Sequence, residues 1–141
     1  MREVKDWDEY YMEMAAQAAT RSKDPSTQVG SYIVDRYGTP ISAGFNGFLP
    51  GFPDTVHNWE RPQKYGYVVH SEMNAVGHAA RRVLEGSTAY VTYMPCSGCM
   101  KSLISAGVSC IVHGGPMKGW DEEHELAAEL AEGTGTVLKE M

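Results

Sequence analysis

The strongest constraint on the fold is an alternation of short apolar runs with helical stretches in the second half of the chain. Ala89 to Met94 is apolar and rich in strand formers. Cys96 to Ala106 has helical spacing, with Cys99, Leu103 and Ala106 aligned, and Val108 to Val112 is a second short strand. Asp121 to Ala131 reads as an acidic helix whose apolar face is Leu126, Ala127, Leu130 and Ala131, and Thr134 to Leu138 as a closing strand. Strands separated by helices pair through crossovers, which gives a parallel sheet covered on both faces.

The first half adds antiparallel pairing. Val29 to Val34 and Ile41 to Phe45 flank the turn Arg36-Tyr37-Gly38 and read as a hairpin. The sheet is therefore expected to be mixed. Before the hairpin, Asp6 can cap a helix with Glu9 as its capping-box partner, and Trp7, Tyr11, Met14 and Ala18 form its apolar face. That helix is expected to stop near Asp24-Pro25, because the residue before proline avoids helical geometry. Residues 46–67 hold Gly47, Pro50, Gly51, Pro53, Pro62 and Gly66, and so read as a long loop. A loop of that length is more often functional or interfacial than idle. A helix from about Ser71 to Arg82 follows, with Met73, Val76 and Ala80 on one side. The order α-β-β-α-β-α-β-α-β makes an α/β fold with a five-stranded mixed sheet, and 141 residues fit a single domain, 1–141.

Charge and composition narrow the functions. The net charge is −6 and no basic run occurs, so no polynucleotide partner is expected. A small anionic substrate needs only one or two local cations and stays open. No apolar run approaches the roughly 20 residues of a membrane helix, so no membrane partner is expected. The charged start Met1-Arg2-Glu3-Val4-Lys5-Asp6 lacks a signal-peptide core, which points to the cytoplasm. Three cysteines, an odd number, argue against a disulfide framework.

Two of those cysteines carry chemistry. Pro95-Cys96-Ser97-Gly98-Cys99 opens one helix, and His70-Ser71-Glu72 opens another. Zinc takes thiolate sulfur and imidazole nitrogen in tetrahedral sites, and catalytic sites use three protein ligands. His70, Cys96 and Cys99 are the candidate ligands. Helix N-termini favour thiolates and other anions there. Glu72, two residues after His70, points away from the ligand direction and can serve as general acid/base. His-x-Glu followed by Pro-Cys-x-x-Cys is the signature of zinc deaminases.

At these residues the sequence resembles the deoxycytidylate (dCMP) deaminase family. Arg21-Ser22-Lys23-Asp24-Pro25 and Gln28-Val29-Gly30 are similar to that family's first loop and strand. Gly44-Phe45-Asn46-Gly47 is similar to its Gly-Tyr-Asn-Gly block, and Tyr67 to Ala75 to its Tyr-Val-x-His-Ala-Glu-x-Asn-Ala run, with Ser71 where alanine is usual. Tyr90 to Cys96 and Ala106-Gly107-Val108 also fit, so the likeness spans about residues 7–113.

The resemblance implies a cytidine-deaminase-like three-layer α/β/α fold and conversion of dCMP to dUMP and ammonia, with Zn2+ as cofactor. It implies that Asn46 contacts sugar and base, and that the Ser71 backbone N–H lies near the cytosine carbonyl. Lys23 and Ser26 are candidates for the 5′-phosphate, although family members often carry a basic residue where Ser26 stands. It implies a homohexamer regulated by dCTP and dTTP, held with Mg2+, with Arg81, Gly44 and Gly47 in that regulation. Other readings stay open. The same signature serves other bases, and 5-substituted dCMP or dCTP could be the substrate. A non-catalytic zinc-stabilised module is the remaining alternative. Structural zinc usually has four protein ligands, and His57, His78, Cys110 and His113 are the residues available for a fourth.

Overall fold

Along three neighbouring strands, successive side chains are buried on opposite faces of one sheet. Ile33, Ala89 and Ile111 join one apolar cluster, and Val34, Tyr90 and Val112 join another. Period-two alternation with both sets buried requires a layer on each face. The computed structural model describes residues 1–141, except for the side chains of Arg81 and Arg82.

The elements are α1 (Trp7–Ala19), β1 (Gly30–Val34), β2 (Pro40–Phe45), a 3-10 turn η1 (His57–Trp59), α2 (Gln63–Tyr67), α3 (Ser71–Gly77), α4 (Arg81–Leu84), β3 (Thr88–Val91), α5 (Ser97–Ala106), β4 (Cys110–His113), α6 (Asp121–Thr134) and β5 (Val137–Glu140). The five strands run in the order β2-β1-β3-β4-β5. β1 pairs antiparallel with β2 and β3, whereas β3–β4 and β4–β5 are parallel. This is the expected mixed sheet in three layers. Helix α1 packs on the face of Val34, Tyr90 and Val112, and α3, α5 and α6 pack on the other.

Two close approaches set the layer spacing. A Cβ on Gly30 would lie 1.9 Å from the Ala15 carbonyl of α1. A Cβ on Gly44 would lie 2.3 Å from the Ser71 carbonyl and 2.6 Å from the Ala75 nitrogen of α3. Only glycine lets these helix backbones rest on the sheet. The second contact matters most, because it seats the helix that carries His70 and Glu72.

Several local expectations need correction. Asp6 does cap α1, accepting from Glu9 N at 2.8 Å. The buried face, however, is Tyr11, Ala15 and Ala19, and Trp7 is 70% exposed. Small residues win that face because Gly30 draws the helix in. The helix also ends at Ala19, well before Asp24-Pro25. There the Asp24 carboxylate accepts from Ser26 N and turns the chain locally. The helix expected over 71–82 breaks after Gly77, where the His78 ring is tied to the Ala43 carbonyl of β2 at 3.2 Å. The expected loop 46–67 contains η1 and α2. Phe48 stacked on Trp59 at 4.1 Å, with Phe52 and Tyr67 alongside, holds that segment together.

Candidate active site

His70 is the N-cap of α3 and Cys96 the N-cap of α5, so both side chains leave the chain at the start of a helix. Gly47 and Val69 exchange backbone hydrogen bonds of 2.8 and 3.1 Å, which fixes the approach to His70. Cys99, one turn into α5, is fully buried. His70 Nδ1 lies 3.2 Å from Cys99 Sγ and 3.6 Å from Cys96 Sγ, and the three donor atoms lie within 4.8 Å of one another.

This donor set fits zinc. Zn–S of about 2.3 Å and Zn–N of about 2.0–2.1 Å in a tetrahedron place nitrogen and sulfur roughly 3.5 Å apart. Among the described residues no further His, Cys, Asp or Glu joins the group. His57 faces Glu60, His78 is tied to β2, His113 bonds the Gly114 carbonyl, and Cys110 packs beside the Tyr11–Tyr90 cluster. None of these completes a four-ligand structural site.

The three groups share protons among themselves. Hydrogen bonding from the Cys99 thiol, opposed by burial and helped by His70, draws the Cys96 thiol down to about 4. The hydrogen bond to Cys96 and burial push Cys99 up. The Cys96 contact raises His70 against its own burial. Protons thus sit where a metal ion would displace them.

Glu72 is 4% exposed and lies in the first turn of α3. Its Oε1 accepts from the Ser71 hydroxyl at 2.7 Å, and that hydroxyl is 2.7 Å from the Ser31 hydroxyl of β1. Because Ser71 donates to the carboxylate, Ser31 must donate to Ser71. Both serines are fully buried, so the pair fixes the Glu72 carboxylate from behind. The Ser31 link is invisible in sequence, since forty residues separate the two hydroxyls.

His70, Ser71, Glu72 and Cys96 open onto a cavity of about 390 Å³ whose walls include Asn46, Thr27, Tyr93, Met117, Trp120 and His124. Asn46 lies within it, and its side chain already bonds its own wall. Its Oδ1 accepts from Val29 N at 2.8 Å, and its Nδ2 donates to the Thr27 carbonyl at 3.0 Å and to Asp24 Oδ2 at 3.4 Å. Both amide hydrogens are used, so any ligand contact falls to the second lone pair of Oδ1.

Lys23 and Ser26 lie elsewhere. Lys23 is paired with Asp54 and is 67% exposed, and Lys23 and Ser26 line a neighbouring cleft. Gly44 serves helix packing, and Gly47 the bridge to Val69. The side chain of Arg81 lies outside the described residues.

Sequence reasoning missed three charged groups of the wall: Asp24, Arg61 and Lys64. Lys64 donates to both oxygens of Asp24, at 3.0 and 3.1 Å, and both side chains are 6% exposed. It also missed Glu123 of α6, whose carboxylate accepts from Ser97 N at 3.0 Å and Ser97 Oγ at 2.6 Å. That contact caps α5 beside Cys96.

Residues 5–114 match the cytidine and deoxycytidylate deaminase zinc-binding region. Deoxycytidylate deaminase of Mus musculus is 37% identical over 131 residues, covering 89% of this chain and 73% of that protein. Deoxycytidylate deaminase of Homo sapiens is 36% identical over the same shares. The crystal structure of dCMP deaminase from the cyanophage S-TIM5 in complex with dCMP and dUMP has a TM-score of 0.79. It covers 99% of this chain and 100% of that one at 23% identity, a likeness of fold.

Proposed function

The chain belongs to the cytidine and deoxycytidylate deaminase family, and from that premise we propose that it hydrolyses dCMP to dUMP and ammonia. The observation that carries this is the buried Glu72 carboxylate at the wall of one cavity with His70 and Cys96. The whole of residues 1–141 acts as one catalytic domain in this reading.

His70, Cys96 and Cys99 would hold the zinc. When bound, zinc is a Lewis acid that lowers the pKa of water toward roughly 7. The rest falls to the chain's own groups. Ser71 occupies Oε1 of Glu72, which leaves Oε2 to take the proton of the attacking water. Glu72 passes that proton to ring nitrogen 3, then takes the proton of the new C4 hydroxyl and gives it to the departing amine as the C4 carbonyl forms and the C4–N bond breaks. One carboxylate thus acts as base and acid in turn. Its burial keeps bulk water from intercepting the proton. Asn46 offers an oxygen lone pair to a sugar hydroxyl, and the Ser71 backbone N–H faces the cytosine carbonyl.

Regulation by dCTP and dTTP, with Mg2+ in a homohexamer, is the finer part of this reading and rests on the resemblance. A cytoplasmic location belongs to the same reading, as the compartment of a free nucleotide substrate. No helix among the described residues is long and apolar enough to cross a membrane.

The test is ammonia release from dCMP, CMP, dCTP, 5-methyl-dCMP, deoxycytidine, cytosine and a tRNA anticodon stem. The highest kcat/KM is expected on dCMP. Best turnover on a free base or on RNA overturns the assignment.

A further inference from the structure

The cavity lining holds two chemically different sets of side chains. His70, Cys96 and Glu72 take the reacting amine, and Asn46 stands along the wall. The lysine and arginine side chains of the lining are Lys64 of α2 and Arg61 just before it. Both face one aromatic ring: Lys64 Nζ lies 5.7 Å and the Arg61 guanidinium 5.9 Å from the centroid of Tyr65. The two cations therefore converge on one stretch of wall.

Lys64 is an unusual residue to find there. Its ammonium is buried and held between the two oxygens of Asp24. Such a pair costs desolvation on both sides and adds little stability over an apolar pair of the same volume. An ammonium has three donors. Two go to Asp24, and the third is left for the cavity that the side chain lines. Arg61 is exposed and has no carboxylate within 4.0 Å among the described residues. Its guanidinium fork matches a phosphate. Lys23, by contrast, is already neutralised by Asp54 and lines only the neighbouring cleft, whereas Arg61 borders both.

We propose that Arg61 and Lys64 bind the 5′-phosphate of the substrate, so that α2 and the turn before it select nucleotides over nucleosides. The proposal rests on the deamination of a cytosine nucleotide argued above. Asp24 is a positioning residue here. It holds the ammonium in place and leaves the local charge at one net positive unit, supplied by Arg61 at the mouth. The base enters first, toward the metal ligands, and the phosphate stays at the cationic wall.

Two readouts test this separately from the reaction. The first is the ratio of kcat/KM on dCMP to that on deoxycytidine. The second is the ratio of affinities for dUMP and deoxyuridine by calorimetry, which needs no turnover. Wild type is expected to favour the phosphorylated partner in both. Arg61→Ala, an exposed change, should lower each ratio at least tenfold. The paired change Lys64→Met with Asp24→Asn, which leaves no buried charge unmatched, should lower each at least tenfold as well. Lys23→Ala should move neither ratio by more than twofold.

Ratios that hold within twofold in Arg61→Ala and in the paired variant overturn the proposal. So does a collapse in Lys23→Ala alone. A wild type that prefers dUMP to deoxyuridine yet releases no ammonia from dCMP would refute the proposed reaction and leave the phosphate site standing.

Discussion

At its metal end the cavity is walled by the first turns of α3 and α5, whereas the stretch of wall that carries Arg61 and Lys64 belongs to residues 46–67, where no regular element exceeds five residues. At the metal end the ligands come from two short motifs, and each side chain is aimed by a helix start in its own sequence neighbourhood. Along the other stretch the groups are aimed by partners far away. Lys64 is held by a carboxylate forty residues earlier, and α2 is braced by rings drawn from both sides of the loop. The contrast separates chemistry, which needs fixed spacing, from recognition, which tolerates any backbone that brings the right charge into place.

The comparison can be broken first at the metal end. Glu72→Gln is expected to lower kcat by a factor on the order of 10⁴, the upper end for a general acid/base, with zinc content unchanged by elemental analysis. A protein that lost zinc together with turnover would make Glu72 structural. Lys64→Met alone probes the other stretch of wall. It leaves Asp24 buried without its partner and should lower the free energy of unfolding in urea by about 3–5 kcal/mol. The paired change with Asp24→Asn should recover most of that loss.

Smaller effects sharpen the picture. Ser71→Ala removes a hydrogen bond to a carboxylate, worth about tenfold in kcat, with KM little changed. Ser31→Ala should then have almost no effect in the Ser71→Ala background, because its link to Glu72 runs through Ser71. Full additivity of the two changes would show that they act separately.

The smallest expected effect lies at the cap of α5. The Ser97 hydroxyl and backbone N–H hold the Glu123 carboxyl below its ordinary value of 4.5. A depressed carboxyl contributes stability that is present above its unfolded pKa and lost as pH falls through the folded value. Wild type should therefore unfold at higher urea than Glu123→Gln at pH 7, and the two midpoints should merge in acid below that value.

Legibility followed the same divide. The mixed sheet was readable because alternation and crossover lengths are local properties, and so was the triad of His70, Cys96 and Cys99. The apolar face of α1 was misjudged by one position, since Gly30 on the facing strand, not the helix itself, decides that Ala15 and Ala19 turn inward. The break after Gly77 was hidden as well; it falls where the His78 ring meets the Ala43 carbonyl of β2, a contact across 35 residues of chain. Arg61 and Lys64 sit among prolines and glycines that announce only irregular backbone, and nothing near them names Asp24 as a partner.

By itself, the sequence determined which atoms can hold the metal and which carboxylate stands beside them, because those groups fall into two short motifs, His70 with Glu72 and Cys96 with Cys99, each spanning no more than one helical turn. Only the tertiary structure decided what backs Glu72 and which cations face the cavity. Those choices depend on contacts between residues about forty positions apart, and such contacts exist only once the layers have closed.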